Sequence, residues 1–377
     1  MARLDEIFNL QMGKTPSRNN TGYWIEGKYD WISIADLSTY SKYTGTTKER
    51  ISEVAVQESG IKRVPENTVI MSFKLSLGKT AITKESIYTN EAIMAFIPTG
   101  KYAVLPDYFY HLFSTMNWSK GTNRAVMGTT LNKATLGAIS IIVPPLSEQR
   151  KIAAVLDKVS DLITKHRQQL DKLDELVKSR FIEMFIGKGY PTKTVDEVSL
   201  SKGEYGAQSA SVEYDPNRPR YVRITDINDD GTLNDDMVAS INLSDDEQYR
   251  LEYGDFMFAR MGATVGKTYA FITGNQIFAG YLIRYKLNQN VISPRYLFWY
   301  TKLDVYWNWV KLSQSGAAQP GINAKKFGSL RIPVPPIELQ RQFVTFVEQT
   351  DKSKLAIKQS LEKLETLKKS LMQQYFG

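Results

Sequence analysis

Apolar residues recur at Ile152, Leu156, Val159, Ile163, Leu170, Leu173 and Val177, with Val155, Leu162 and Leu176 on the alternate step and charged residues filling the rest. A seam of period near 3.5 predicts a helix running from Ser147 to Phe185. Pro144 and Pro145 end the preceding strand, Ser147 is the expected N-cap with Glu148 in the first turn, and Gly187 followed by Pro191 supplies the stop. Roughly 39 residues at about 1.5 Å each give a rod of about 58 Å, far longer than the usual globular helix. Such a helix is a spacer.

The pattern occurs twice. Placing Val143-Pro144-Pro145 on Val334-Pro335-Pro336 also aligns Gln149-Arg150 with Gln340-Arg341, Leu173 with Leu364 and Phe185 with Phe376. The second seam, over Ile337 to Phe376, passes through Phe343, Val347, Ile357, Leu361, Leu364, Leu367 and Leu371. A narrow apolar stripe on one long helix must be covered, and two such helices cover each other as a coiled coil. Two-fold pseudo-symmetry makes the pair antiparallel. His166, Thr350 and Lys354 interrupt the seams, either as register markers or as residues on an open flank.

Outside the long helices the patterning changes to short strand-like runs. In the first segment these are Trp31 to Ile34, Val69 to Phe73 and Ala92 to Ile97, then a helix from Pro106 through DYFYHLFSTM and a last strand from Ile139 to Val143. The second segment repeats the plan. Tyr221 to Ile227 answers Trp31 to Leu37, Gly266-Lys267-Thr268 answers Gly78-Lys79-Thr80, Pro294-Arg295-Tyr296 answers Pro106-Asp107-Tyr108, and Ile322-Asn323 answers Leu131-Asn132. The expected fold is α+β: two globular α/β domains of similar fold, at 1–143 and 188–334, separated by two long helices at 144–187 and 335–377 packed as an antiparallel coiled coil, an internal pseudo-two-fold repeat. The framework repeats while the loops diverge, since GKTPSRNNTGYW shares little with EYGAQSASVEYD. Two halves of that kind recognise different things with one architecture.

Composition narrows the chemistry. Forty-eight Lys and Arg against forty Asp and Glu leave a net charge of +8, which favours an anionic partner. The absence of cysteine removes disulfides and thiolate metal sites, and two histidines, His111 and His166, argue against a zinc site. No apolar run approaches the roughly 18 residues of a membrane span, and MARLDEIFNL has no signal-peptide core, so a soluble cytoplasmic protein is expected.

Gly262-Ala-Thr-Val-Gly266-Lys267-Thr268 superficially suggests a phosphate loop, but that loop has four residues between its glycines and this has three. A hairpin with a tight glycine turn explains it better. The cations near these turns, Lys74, Lys79, Arg260 and Lys267, are candidates for phosphate or base contact, because Arg pairs bidentately with guanine and Lys neutralises phosphate. Lys14, Ser17, Arg18 and Arg124 in the first half and Gln208, Ser209, Arg223, Gln314 and Gln319 in the second have the same standing. No catalytic constellation is present: no Ser/His/Asp order, no HExxH, no dinucleotide fingerprint and no methyltransferase box. Asp229-Asp230, Asp235-Asp236 and Asp245-Asp246 lie in polar stretches and read as turns.

The doubled junctions LGAISIIVPPLSEQRKI and FGSLRIPVPPIELQRQF, each followed by a long helix, together with the aromatic-ϕ-x-I-x-D motif and a Gly-Lys hairpin in each half, resemble the specificity subunit of type I restriction-modification systems. The resemblance covers essentially the whole chain. It implies two target recognition domains, each reading one half of an asymmetric bipartite site in double-stranded DNA. It implies helices that set the spacing and dock two methyltransferase subunits, to which motor-nuclease subunits can be added. It places S-adenosylmethionine, ATP and Mg on those partners, with no cofactor and no catalysis in this chain. Leu339 departs from the pattern where the first copy has Glu148, and Phe73 stands near the position of Arg260. Lobes at the two ends of a rod of about 58 Å would suit half-sites at least one DNA turn, about 34 Å, apart. Charged flanks such as Lys165, Arg167, Lys172 and Lys178 would suit partner helices. Two other readings stand beside this one: a recognition subunit of a type II-like enzyme, and a coiled-coil adaptor that never touches DNA.

Overall fold

The computed structural model describes residues 1–377 except 75, 119–122, 126–127, 244–245 and 315–320, and for 123–125 and 128–130 it describes the backbone alone. The chain divides into two compact units, Met1–His166 with Gln359–Gly377, and Arg167–Lys358.

Each unit contains the same four-stranded antiparallel sheet. In the first, the spatial order is Phe8–Met12, Ile93–Pro98, Val69–Ser72, Thr80–Ile82. In the second it is Glu204–Tyr205, Leu282–Lys286, Asp255–Ala259, Thr268–Ala270. A parallel pair accompanies each sheet, with Trp31 opposite Tyr88 in one unit and Tyr221 opposite Ile277 in the other. A short antiparallel pair closes each at the junction, Ala2 with Ile141 and Thr192 with Pro333.

The motif that opens with Trp31 or Tyr221 now has a physical basis. Trp31 Nε1 donates to the carbonyl of Lys14 at 3.1 Å, and Tyr221 Oη donates to the carbonyl of Ala207 at 2.7 Å. Two different aromatics thus hold the loop that leaves the first sheet strand. The motif's aspartate accepts from the backbone N–H three residues earlier in both copies, Asp36 from Ser33 at 3.0 Å and Asp226 from Arg223 at 2.9 Å. This capping converts the end of each expected strand into a helical turn, at Ile34–Leu37 and Ile224–Asp226. The Gly-Lys-Thr hairpins turn at Gly78 (φ 81°) and Gly266 (φ 92°). A Cβ would meet Trp118 at 2.8 Å in the first and Trp307 at 2.9 Å in the second, so glycine serves both the turn and the close approach.

The long helices span Leu146–Phe185 and Ile337–Phe376. Ser147 is therefore inside the first turn and not the N-cap. The Pro145 carbonyl accepts from Gln149 N–H at 3.0 Å, so the helix starts at the proline, whose fixed φ suits that entry. In the first unit His166 Nε2 meets Ser360 Oγ at 3.0 Å, and in the second Lys354 pairs with Asp174. Partners further along one helix lie earlier on the other, which makes the pair antiparallel. His166 and Lys354, two of the three seam interruptions, therefore bond across the pair, while Thr350 is buried and returns its hydroxyl to Phe346 O.

Each unit's core joins sheet, domain helix and long helices. In the first, Phe8, Phe96, Phe109 and Phe113 form one ring cluster, with Leu156 from the first long helix and Leu371, Met372, Tyr375 and Phe376 from the end of the second packed against the same core. In the second, Phe181 and Phe185 pack with Tyr296 and Phe343 at ring separations of 4.9 to 5.6 Å. Other seam residues remain open: Leu162, Leu176 and Leu367 are exposed, as is Leu355.

Candidate nucleic-acid interface

One end of each four-stranded sheet collects the candidate residues. In the second unit the strand Asp255–Ala259 runs out into Arg260, whose N–H donates to Tyr281 O at 3.0 Å and whose carbonyl accepts from Ile322 N–H at 2.9 Å. Gly280 N–H donates to Ala207 O at 2.8 Å, bringing the loop that carries Gln208 to the same edge. Gly206 and Gly280 permit this approach, since a Cβ on Gly206 would lie 2.3 Å from Phe278 O and one on Gly280 would lie 2.9 Å from Gln208 Cγ. Arg260 is half-buried, and its guanidinium lies over the Tyr205 ring at 4.9 Å. Its Nε is buried without a hydrogen-bond partner among the described residues. Stacking on Tyr205 fixes the plane of the guanidinium, and an arginine so held can pair bidentately with guanine.

The first unit repeats the backbone and changes the chemistry. Phe73 N–H donates to Ala92 O at 3.0 Å and Phe73 O accepts from Leu131 N–H at 3.1 Å, which identifies Phe73 as the counterpart of Arg260. Phe73 is 1% exposed and belongs to the core. No arginine contact carries over to this half. Its cations at the same sheet end are Lys14, which is exposed, Lys74, which is half-buried over the Phe73 ring at 5.3 Å, and Lys79, which is exposed.

Other candidates are engaged inside the chain. Arg18 Nη2 donates to Glu49 Oε2 at 2.9 Å and its guanidinium lies 3.7 Å over Trp24, and its hydrogen bond holds the Glu49 carboxyl below the usual carboxylate range. Arg223 grips Asp226 through Nε at 3.2 Å and Nη2 at 2.9 Å. Lys267 donates to Ile227 O at 3.3 Å and pairs with Asp229 at 2.8 Å, and its hydrogen bond to the Asp229 carboxylate lowers the Asp229 pKa. Asp229 is thus an ion-pair partner as well as a turn residue, and Asp230 caps the turn by accepting from Thr232 N–H at 2.9 Å. Ser17 and Ser209 are exposed. Each gives its carbonyl to an aromatic, Trp24 Nε1 at 3.2 Å and Tyr221 Oη at 3.1 Å. Gln314 ends the helix Asp304–Gln314 and is half-buried. Arg124 lies on the strand Asn123–Ala125, with its side chain outside the described residues, and Gln319 and Asp245 lie outside them altogether.

Sequence reasoning missed two polar clusters. At the first junction, His111 Nε2 meets Asp157 Oδ1 at 2.8 Å and Lys42 Nζ reaches Asp157 Oδ2 at 2.7 Å as well as Asp107. Burial lowers the His111 pKa against the pull of Asp157. The second lies in a cleft of about 690 Å³ within the second unit, where Lys302 faces Asp229 and Asp230 over the Phe298 ring. Burial there lowers the Lys302 pKa to about 8. Neither cluster has a local sequence signal, because their members are far apart along the chain.

Two copies of one α+β framework, each ending in a differently furnished polar edge and each packed with segments of both long helices, define a tandem recognition protein. A family model for the type I restriction modification DNA specificity domain matches residues 1–175 and again 188–368. The chain belongs to that family. It is 23% identical over 371 residues to the type I restriction enzyme MjaIX specificity subunit of Methanocaldococcus jannaschii, covering 92% of this chain and 85% of that one. The EcoprrI specificity subunit of Escherichia coli is 26% identical over 171 residues, 42% of each chain. Among solved structures, the type I S subunit from M. genitalium superposes with a TM-score of 0.59 at 14% identity, covering 98% of this chain and 94% of that one. A chain from work on assembly and conformational transition of the type I R-M system gives 0.63 at 18% identity, covering 100% and 96%. These similarities establish the fold.

Proposed function

We propose that this chain is the DNA specificity subunit of a type I restriction-modification complex, with target recognition domains at 1–143 and 188–334 and spacer helices at 144–187 and 335–377. The observation that carries the reading is the repeated framework with unlike edges: Arg260 on Tyr205 in one half, core-buried Phe73 beside Lys74 and Lys79 in the other. Each domain reads one half of an asymmetric bipartite duplex site, and the helices set the gap. Lys14, Lys74, Lys79, Gln208 and Arg260 are the first candidates for contact, because no ion pair within the described residues occupies their side chains. Arg18, Arg223 and Lys267 support the loops that present them. Exposed Leu162, Leu176, Leu355 and Leu367 on the long helices support docking of methyltransferase subunits, two by the internal symmetry, with motor-nuclease subunits joining the assembly. Methyl transfer from S-adenosylmethionine and ATP- and Mg-dependent cleavage belong to those partners, and the complex acts on DNA in the cytoplasm. No helix of the described residues is long and apolar enough to cross a membrane.

The test is selection of bound duplexes from a random library with the methyltransferase partner present at physiological salt. Two short unlike motifs with a fixed gap are expected. Arg260→Ala should relax one position of one motif by about 1–3 kcal/mol and leave the other motif intact. Binding without a motif that weakens uniformly with salt would leave only phosphate attraction and would refute the reading.

A further inference from the structure

The glutamine of the two doubled junctions is entirely buried in both copies, Gln149 and Gln340 at 0% exposure. In the first unit Gln149 Oε1 accepts from Leu105 N–H at 2.9 Å, and its Nε2 donates to Ala103 O at 2.8 Å and to Pro144 O at 2.9 Å. In the second, Gln340 Oε1 accepts from Ser293 N–H at 2.8 Å, and its Nε2 donates to Val291 O at 3.0 Å and to Pro335 O at 2.9 Å. The same three bonds form in each half, two of them to segments that differ in sequence, 103–105 and 291–293. One amide ties the loop entering the domain helix, at Pro106 or Pro294, to the Pro-Pro entry of the long helix.

We infer that Gln149 and Gln340 are positioning residues that fix the angle of each recognition domain on its long helix, and so hold the two half-sites at a single gap length. The spacing part rests on the bipartite reading above. The geometry favours a locking role over a packing one. A buried amide with both donors and an acceptor satisfied has one low-energy orientation, because each broken bond leaves a buried backbone group unpaired. Apolar contacts between the same segments would tolerate sliding. The required precision is high, since one base pair shifts a half-site by about 3.4 Å along the duplex and about 35° around it.

Gln149→Met keeps the volume and removes all three bonds, and Gln149→Glu keeps the acceptor for Leu105 N–H while losing the amide donors. The chain has no cysteine. Spin labels at Gln57→Cys and Glu362→Cys, both exposed positions of the first unit, therefore report the domain against the helix. The distance distribution should broaden in Gln149→Met, and at least as much in Gln149→Glu, whose buried carboxylate would face the Ala103 and Pro144 carbonyls with nothing to donate. In duplex selection with the full chain and its methyltransferase partner, both motifs should persist while the gap spreads to neighbouring lengths. An unfolded domain would instead lose its own motif, and Gln340→Met at the equivalent site of the second unit, read by the gap in the same selection, then decides the matter. Unchanged distances in a folded Gln149→Met protein overturn the locking role, and broadened distances with an unchanged gap overturn the spacing role. A wild-type chain that selects no bipartite site refutes the bipartite reading itself, and the label distances still test the lock.

Discussion

Lys302 is a half-buried cation over Phe298 and beside Asp229 and Asp230, with burial outweighing the two carboxylates. Its pKa of about 8 stands below its ordinary 10.5. Between those values the unfolded chain keeps a proton that the folded chain has released, so this residue makes stability rise with pH across that window; below it both states are charged and the full cost of burial applies. Lys302→Met should therefore melt above wild type at pH 7, by up to about 3 kcal/mol. The difference should shrink as pH approaches 10.5, and parallel melting curves over the window would contradict the assignment. His111 works in the acid range. Burial depresses its pKa below 6.5, so its contribution is complete above that value and is lost as pH falls beneath it. Gly266 was legible from the sequence because its role is a local turn, whereas Asp226 stood out only as part of a repeated motif whose capping role emerged with the fold. The roles of Lys302 and Gln149 were not legible, since a pKa and a buried amide's partners depend on segments brought together only by the fold.

At the scale of elements, the long helices were readable almost to the residue because an apolar period sustained over many turns has no competing interpretation. The start was misplaced by a single turn position: a proline entry needs no serine cap, and Ser147 is exposed within the first turn. The short strands were located but overrun, since the aspartate caps at Asp36 and Asp226 divert the chain before the apolar run ends. The seam is not uniformly buried. Phe343 is 0% exposed against Phe181, Phe185 and Trp299, whereas Leu367, read as a seam residue, is exposed. Phe343→Ala should accordingly cost about 3–5 kcal/mol, and Leu367→Ala well under that, measured by denaturant unfolding. Equal losses at the two positions would show that the apolar period alone, and not the docking of a domain on one end of each helix, determines where the pair is stable.

For the whole molecule, the duplication was legible from the junctions, but the way it is partitioned was not. The sequence divides naturally at the ends of the helices, whereas the compact units divide within them, so the first unit needs residues 359–377 from the far end of the chain. The physical reason is antiparallel pairing. The end of the second long helix completes the first domain's core: Phe376 meets Tyr108 edge-on at 5.6 Å, and Leu371, Met372 and Tyr375 pack on the same cluster. The second unit is a continuous stretch, 167–358, and its described core residues all lie within it. Removing residues 359–377 should therefore destabilise the N-terminal domain, nearly the whole chain away in sequence, and spare the adjacent C-terminal one. Calorimetry of the truncated chain should show one unfolding transition lowered or lost and a second near its original temperature. Proteolysis should then cut first within residues 1–143. If both transitions fell together, the two units would be folding as one cooperative body, and independent recognition by the two halves would lose its structural basis.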